Sequence, residues 1–302
     1  MAEFTGVFAP VTTPFDEVTG DLDLVGFRSN ARQLLATELA GIVLFGSTGE
    51  GLLVEDAERV AALESVQELA WGKLVLAGAG AESTREAIRI VRLSADAGAD
   101  AVLVSPPAYY RPQMTPEALL EHYVAVADSS PVPILLYQVP PVYSGIDLQA
   151  GLVGELSKHW NIRGIKDSTG DLQAMGEIVE SCSAGFEVIV GNGAVLYGAM
   201  EVGATGGILG VATIAPRECA EIFSLKESGR DAEAGALQER IAPLHRAVVG
   251  KYGVPGVKAA LDLLGLVGGR PRPPLLPLRE KDRQKVRAAL AAADLLATDP
   301  PS

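Results

Sequence analysis

The chain has 302 residues, of which 48% are hydrophobic and 21% are charged. This composition is typical of a folded globular protein and excludes an intrinsically disordered one. Its 25 Lys and Arg residues and 38 Asp and Glu residues give a net charge of −13. Because nucleic acids and anionic membrane surfaces attract concentrated positive charge, this acidity argues against either as a partner.

The sequence shows no signal for a membrane or for export. Its first ten residues include Glu3 and no basic segment, so we expect no signal peptide. No apolar run reaches the roughly 20 residues that a membrane-spanning helix requires. Cys182 and Cys219 lie far apart and outside any CxxC motif, which favours reduced thiols and a cytoplasmic location.

Short apolar or β-branched runs alternate with longer amphipathic stretches up to residue 228. We predict eight strands, at Gly6–Thr12, Gly41–Phe45, Lys73–Ala77, Ala101–Val104, Val132–Tyr137, Ile162–Lys166, Glu187–Val190 and Gly207–Gly210.

The stretches between these strands are predicted to be helices. In the first of them, Leu24–Leu39, apolar residues recur with a period of about 3.6. Ser83-x-x-Glu86 has the pattern of a capping box at the start of the third helix. Thr115 followed by Pro116 predicts an N-cap with proline in the first helical turn.

Alternating strands and helices favour a parallel sheet with right-handed crossovers. Eight such units predict an α/β fold, a closed (β/α)8 TIM barrel over residues 1–228. An open doubly wound sheet is the alternative, but Pro10-Val-Thr-Thr-Pro14 stands where that fold has GxGxxG. Residues 229–302 are predicted to form a C-terminal helical appendage, with helices at Ala232–Gly250, Val254–Leu264 and Arg279–Leu296.

Active sites of such barrels lie at the C-terminal ends of the strands, and Lys166 ends the sixth one. Alternation along a strand places it on one face with Ile162 and Gly164. If that face points inward, the amine lies at the barrel mouth, where lost hydration favours the neutral form that attacks carbonyls. A lysine that extends into solvent, or one that pairs with Asp167, is the alternative.

Tyr137 ends the adjacent fifth strand, about 4.8 Å from the sixth in a parallel sheet. A phenol beside an amine can make the proton transfers that Schiff-base formation requires, although an ordinary packed tyrosine is equally compatible.

The turn Gly46-Ser-Thr-Gly-Glu50 follows the second strand. Its backbone N–H groups and hydroxyls could hold a small carboxylate or pass protons, although such sequences also form plain loops. We predict no metal site, because His122, His159 and His245 are widely spaced.

Three motifs, Gly46–Glu50, Tyr137-Gln-Val-Pro140 and Gly164-Ile-Lys-Asp-Ser168, together resemble the dihydrodipicolinate synthase / N-acetylneuraminate lyase family. Members of that family are pyruvate-dependent class I aldolases on (β/α)8 barrels, and the resemblance covers essentially the whole chain. It implies a lyase without metal or separate cofactor, which forms a covalent Schiff base through Lys166. It also implies a homotetramer, a dimer of dimers.

The resemblance assigns catalytic roles to individual residues. Lys166 would form the Schiff base with pyruvate, and Tyr137 would be the general acid/base. Ser47 would relay protons between Tyr137 and a second tyrosine, which in this family comes from a neighbouring subunit. Tyr109 is the best match for that tyrosine, and the adjacent Tyr110 is the alternative.

The resemblance also implies a pyruvate pocket. Ser47 and Thr48 would hold the carboxylate through backbone and hydroxyl groups. Gly191 and Ile208 would line the same pocket, Ile208 with its carbonyl.

The acceptor half of the site departs from the family pattern. A dihydrodipicolinate synthase has an arginine just after Tyr-Asn-Val-Pro, which binds the carboxylate of aspartate semialdehyde. This chain has Gln138 in place of Asn, and Pro140-Pro-Val-Tyr-Ser-Gly145 contains no basic residue. Glu82 also stands where the lysine-inhibitor site would have an asparagine.

Other segments, such as Ala77–Thr84 and Tyr252–Lys258, are more similar to 4-hydroxy-2-oxoglutarate aldolase. The resemblance therefore favours reversible aldol cleavage of a 4-hydroxy-2-oxo acid to pyruvate and an aldehyde. The alternative is 4-hydroxy-tetrahydrodipicolinate synthase, which joins pyruvate to aspartate semialdehyde. A catalytically silent barrel that binds an oxo acid, and a flavin- or phosphate-dependent oxidoreductase, remain as hypotheses from other classes.

Overall fold

Eight parallel strands form a closed barrel in chain order. The computed structural model describes residues 4–296, so predictions that fall on residues 1–3 and 297–302 lie outside the described residues. The strands are β1 (Gly6–Pro10), β2 (Gly41–Leu44), β3 (Leu74–Gly78), β4 (Ala101–Val104), β5 (Ile134–Gln138), β6 (Ile162–Asp167), β7 (Glu187–Val190) and β8 (Gly206–Ile208). The predicted (β/α)8 fold is confirmed.

Helices follow the strands and cover the barrel. They are α1 (Leu24–Leu35), α2 (Asp56–Ala70), α3 (Thr84–Asp96), α4 (Pro116–Ser129), α5 (Pro141–Ser144), α6 (Ala150–Leu156), α7 (Leu172–Ser181), α8 (Leu196–Glu201) and α9 (Pro216–Glu227). Single turns of 3₁₀-helix lie at Ser47–Gly49, Gly51–Leu53, Arg111–Gln113 and Gly210–Thr213. The last of these takes up the end of the predicted eighth strand, which stops at Ile208.

Two helix starts follow the predicted capping residues. The hydroxyl of Thr115 accepts a hydrogen bond from the backbone N–H of Ala118, and Pro116 opens α4. Ser83 likewise caps α3. The second half of the predicted box is replaced by an ion pair, because the carboxylate of Glu86 binds Arg89.

The strands bury one side chain face in the barrel and the other beneath the helices, as alternation requires. The inner cluster consists mainly of strand residues, among them Phe8, Val43, Leu103, Leu135 and Ile189. The outer cluster joins strand residues to apolar helix faces.

The sixth strand contains a bulge. Ile134 of β5 pairs with Ile162, but the next residue, Leu135, pairs with Gly164. Arg163 is therefore the extra residue of a β-bulge, a feature that tightens twist and redirects side chains.

The bulge corrects one predicted strand face. Ile162 lies with Ile165 in the outer cluster, although strict alternation placed it on the same face as Lys166. Beyond the bulge, Gly164 pairs with inward-facing Leu135, and Lys166 pairs with inward-facing Tyr137.

Three helices follow the barrel: α10 (Asp231–Leu244), α11 (Lys251–Leu263) and α12 (Glu280–Ala292). A π-helical segment, His245–Gly250, joins α10 to α11. The predicted break at 253–256 is a kink inside α11, where Gly253 has φ 56° and ψ −137°. The division into units at residue 228 stays a prediction.

Within residues 4–296 no helix is both long enough and apolar enough to span a membrane.

Candidate active site

Lys166 and Tyr137 are directly opposed residues on neighbouring strands. Each is 7% exposed, and the Lys166 Nζ atom lies 4.3 Å from the centre of the Tyr137 ring. Lys166 therefore neither extends into solvent nor pairs with Asp167, whose carboxylate instead accepts hydrogen bonds from the N–H and hydroxyl of Thr169. The alternatives for this lysine are wrong, and the amine faces the phenol at the barrel mouth.

The Tyr137 hydroxyl is surrounded by polar groups. Burial by itself raises the pKa of Tyr137, but the charge of Lys166 and hydrogen bonds from Ser47, Ser168 and Lys166 outweigh it and lower the pKa below its ordinary value. The Ser47 Oγ atom lies 3.3 Å from the Tyr137 hydroxyl. A phenol whose deprotonated form is stabilised in this way is suited to accept and return a proton.

The loop that carries Ser47 and Thr48 is shaped by close backbone contacts. The Thr13 hydroxyl donates a hydrogen bond of 2.6 Å to the carbonyl of Gly49. A Cβ atom on Gly49 would lie 2.7 Å from the carbonyl oxygen of Val11, so only glycine fits. This packing leaves the Ser47 side chain exposed and that of Thr48 half-buried beside the barrel mouth.

Gly191 directly follows β7, the strand beside β6, and Ile208 ends β8, the next strand of the barrel. A Cβ atom on Gly191 would lie 1.9 Å from Ser168 Oγ and 2.9 Å from Lys166 Cε, so the missing side chain makes room for both side chains. Ile208 is fully buried in the inner cluster at the end of β8.

Ser168 is a site residue to which the sequence assigned no role. It follows β6, and its hydroxyl helps to lower the pKa of Tyr137. Its signal in the sequence is its position two residues after Lys166, which is the spacing of residues on one strand face.

Tyr109 lies in the loop after β4 and does not join this cluster within one chain. It is 79% exposed, and Tyr110 is 65% exposed, with the two rings edge-to-face at 5.1 Å. The backbone N–H groups of Ala108 and Tyr109 donate to one carboxylate oxygen of Glu82, at 3.0 and 2.8 Å. In the sequence, Glu82 is only a departure from the pattern of an inhibitor site. In the structure, it fixes the loop that carries Tyr109 and Tyr110.

The loop after β5 is anchored at its ends and exposed at its centre. The Gln138 side-chain oxygen accepts a 2.6 Å hydrogen bond from Leu148 N–H, and its Nε2 donates to the carbonyl of Ile146 at 3.0 Å. Between these anchors Val142 is 84% exposed and Tyr143 is 72% exposed. The longer amide of Gln138 thus closes the loop on itself.

A cation from the preceding loop lies against this segment. A Cβ atom on Gly145 would lie 2.9 Å from Arg111 Cδ and 3.4 Å from Arg111 Cζ, so the arginine side chain packs over the glycine. Gly145 has φ 64°, which suits a residue without a side chain. A positive charge therefore lies beside residues 140–145, although that segment contains no basic residue of its own.

The histidines lie apart from each other. The His122 ring contacts the Thr84 hydroxyl, His159 contacts Asp128, and burial lowers the pKa of both His122 and His245 to about 4. In the part of the chain that the structure describes, no group of three or more His, Cys, Asp or Glu side chains could hold a metal ion.

Known proteins resemble this chain over nearly its whole length. The sequence pattern of the dihydrodipicolinate synthetase family matches residues 3–293. The 4-hydroxy-tetrahydrodipicolinate synthase of Methanothrix thermoacetophila is 36% identical over 297 residues, which cover 98% of this chain and 99% of that protein.

Solved structures agree with the sequence relatives. The dihydrodipicolinate synthase of Thermotoga maritima superposes with a TM-score of 0.92 at 28% identity, covering 98% of this chain and 100% of that one. The enzyme of Acinetobacter baumannii, solved in complex with pyruvate, has a TM-score of 0.91 at 31% identity, with coverage of 97% and 99%.

These relatives do not support a closer likeness to 4-hydroxy-2-oxoglutarate aldolase, since they are named as dihydrodipicolinate or 4-hydroxy-tetrahydrodipicolinate synthases. Enzymes of this family are class I lyases that bind pyruvate as a Schiff base on a lysine and need no metal or cofactor. The chain belongs to the dihydrodipicolinate synthetase family.

Proposed function

We propose, from its membership of this family, that the chain binds pyruvate as a Schiff base on Lys166 and condenses it with aspartate semialdehyde. The observation that carries the proposal is the buried amine of Lys166 beside the phenol of Tyr137, with Nζ 4.3 Å from the ring centre. The names of the sequence relatives support aspartate semialdehyde as the acceptor.

In the proposed reaction, the neutral amine of Lys166 attacks the carbonyl carbon of pyruvate and forms a carbinolamine. Tyr137 donates a proton to the departing hydroxyl, water leaves, and the protonated imine remains. Loss of a proton from the pyruvate methyl group gives an enamine, whose terminal carbon forms the new bond to the aldehyde carbon. The aldehyde oxygen takes up a proton, and cyclisation through the acceptor's amine releases Lys166.

Ser47 and Tyr109 complete the proton path in this proposal. Ser47 Oγ, 3.3 Å from the Tyr137 hydroxyl, passes the proton onward. The proton then passes to Tyr109 of the neighbouring subunit in a cytoplasmic homotetramer. This role suits the exposure of Tyr109 within one chain.

The pyruvate carboxylate is assigned to Ser47 and Thr48, which lie on the tight turn after β2. Gly191 provides space beside the Lys166 side chain, and the carbonyl of Ile208 is assigned to the wall of the same pocket.

The acceptor carboxylate requires a positive charge, and we assign it to Arg111. Its guanidinium packs over Gly145, in the loop where the sequence lacks the arginine of the family pattern. A planar guanidinium can bind a carboxylate through two hydrogen bonds.

Aldol cleavage of a 4-hydroxy-2-oxo acid is the second candidate. It is favoured by the loop 140–145, which has no basic residue of its own and exposes Val142 and Tyr143. Both candidates share the same pyruvate chemistry, so they differ only in the acceptor.

Two measurements test the proposal in sequence. Borohydride reduction in the presence of pyruvate should add about 72 Da to the parent and nothing to Lys166→Ala, as a trapped Schiff base requires. Turnover is then compared with aspartate semialdehyde and with 4-hydroxy-2-oxoglutarate as substrates. An unmodified parent would refute the Schiff base, whereas an adduct with faster turnover of 4-hydroxy-2-oxoglutarate would favour the second candidate.

A further inference from the structure

A buried ion pair joins the loop after β2 to the C-terminal helices. Lys258 Nζ, on α11, lies 2.5 Å from Glu50 Oε1, and the two side chains are 1% and 0% exposed. Glu50 ends the 3₁₀ turn Ser47–Gly49, the segment assigned to the carboxylate of pyruvate.

Both partners are held by further contacts, most of them with the segment between α11 and α12. Lys258 Nζ donates to the carbonyl of Arg270 at 2.8 Å and lies 4.7 Å from the centre of the Phe15 ring. The second carboxylate oxygen of Glu50 accepts the backbone N–H of Arg272 at 2.8 Å. The Arg272 guanidinium in turn donates to the carbonyl of Leu53, at 2.6 Å, on the far side of the same loop.

Glu50 adopts a backbone conformation that normally favours glycine. Its φ of 55° and ψ of 33° lie in the left-handed region, which a Cβ atom makes unfavourable. Glycine would adopt this conformation without strain, and glycines stand on either side of it. A glutamate at this position is best explained by the use of its carboxylate.

Stability alone is a poor explanation for such a pair. Removing two charges from water is unfavourable, and well-packed apolar residues often replace a buried ion pair without loss of stability. The pair instead fixes the position of the loop, because it ties the end of the Ser47–Gly49 turn to one point on α11.

We propose that Lys258 is a positioning residue for the pyruvate pocket. Through Glu50 it sets the backbone of the loop and therefore the places of Ser47 and Thr48. The C-terminal helices, which contribute no group to the Schiff base, thus act on the affinity for pyruvate. This inference rests on the proposed function, in which that loop holds the pyruvate carboxylate.

The test compares Lys258→Met, Glu50→Gln and the double variant with the parent. Pyruvate affinity is read from the concentration dependence of the borohydride-trapped adduct, and the KM for pyruvate and kcat are measured separately. We expect a loss of about 10- to 100-fold in kcat/KM for pyruvate, mainly through KM, because a small displacement of positioning groups has effects of that size. Glu50→Gln keeps the side chain shape and provides the test if Lys258→Met does not fold.

Leu290→Ala is the matched control, since Leu290 is fully buried in α12 and belongs to the outer cluster. It should lower the melting temperature without raising the KM for pyruvate. The double variant, which leaves no unpaired buried charge, should be more stable than Lys258→Met while its KM stays raised.

An unchanged KM in folded Lys258→Met and Glu50→Gln would overturn the inference. It would also be overturned if KM rose equally in Leu290→Ala at the same melting temperature, or if the double variant regained the parent's KM together with its stability. A parent that forms no pyruvate adduct would instead refute the proposed function, and the inference with it.

Discussion

The two loops that flank Tyr137 are built in opposite ways. The loop after β2 is tied down by the Glu50–Lys258 pair and by the Thr13 hydroxyl, with both charged side chains fully buried. The loop after β5 is closed at its base by Gln138, and it exposes Val142 and Tyr143.

Under the proposed function, this difference separates the groups that bind pyruvate from those that bind the acceptor. The turn assigned to pyruvate, which must hold its substrate within fractions of an ångström, is held rigid by buried contacts. The segment assigned to the second substrate is exposed, so substitutions there should have little effect on folding.

The largest effect is expected for Tyr137→Phe, which removes the proton-transferring hydroxyl from the rigid half. We expect kcat to fall by about 10²- to 10⁴-fold, the usual contribution of a general acid/base. The lowered pKa of Tyr137 means that its deprotonated form appears at lower pH than in an ordinary tyrosine. Where turnover needs that form, activity rises as the pH passes through this pKa, and a pH profile should lose this rise in the variant.

Ser47→Ala is the control for that assignment. It removes one of the hydrogen bonds that lower the pKa of Tyr137, so the rise in activity should move to higher pH. An unchanged profile in both variants would show that another group is the acid/base.

Tyr109→Phe should lower kcat by about 100-fold if the relay crosses a subunit interface. Because the side chain is 79% exposed within one chain, the melting temperature of the subunit should change little. Tyr110→Phe is the matched control, and a larger loss of turnover in that variant would transfer the role to the neighbouring residue.

Gly191→Ala should reduce adduct formation by about tenfold, because a methyl group 1.9 Å from Ser168 Oγ and 2.9 Å from Lys166 Cε displaces both side chains. Gly151→Ala is the control, since nothing lies within 4 Å of a Cβ atom at that position. Equal rates of borohydride trapping in parent and Gly191→Ala would contradict this use of the glycine.

Arg111→Met should affect only the exposed half of the site. We expect the KM for aspartate semialdehyde to rise by about tenfold, as for loss of one charge-assisted contact, while pyruvate trapping stays unchanged. Arg111→Lys should recover only part of the loss, because an ammonium lacks the bidentate geometry. A rise in the KM for pyruvate of the same size would contradict the division between the two halves.

The fold and the pair at its centre could be predicted from the sequence. Alternating periodicity gave the barrel, and the ends of neighbouring strands gave Lys166 beside Tyr137. Both inferences depend on local repeats, which a sequence displays directly.

The supporting contacts could not be predicted, because they join distant segments. Glu50 read as the end of a glycine-rich turn, and Lys258 as a residue of a C-terminal helix; only the folded chain brings them within 2.5 Å. The contact between Arg111 and Gly145 was hidden in the same way, since each belongs to a different loop.

The bulge at Arg163 determines which face of β6 carries the Lys166 amine. Because side chains alternate along a strand, a register shift of one residue reverses the face of every side chain beyond it. If β6 had no bulge and paired residue by residue from Ile162 with Ile134, Lys166 would oppose Gln138 and point toward the helices. The one extra residue on the N-terminal side of the strand therefore turns Lys166 into the barrel and away from the hydrophobic packing behind the strand.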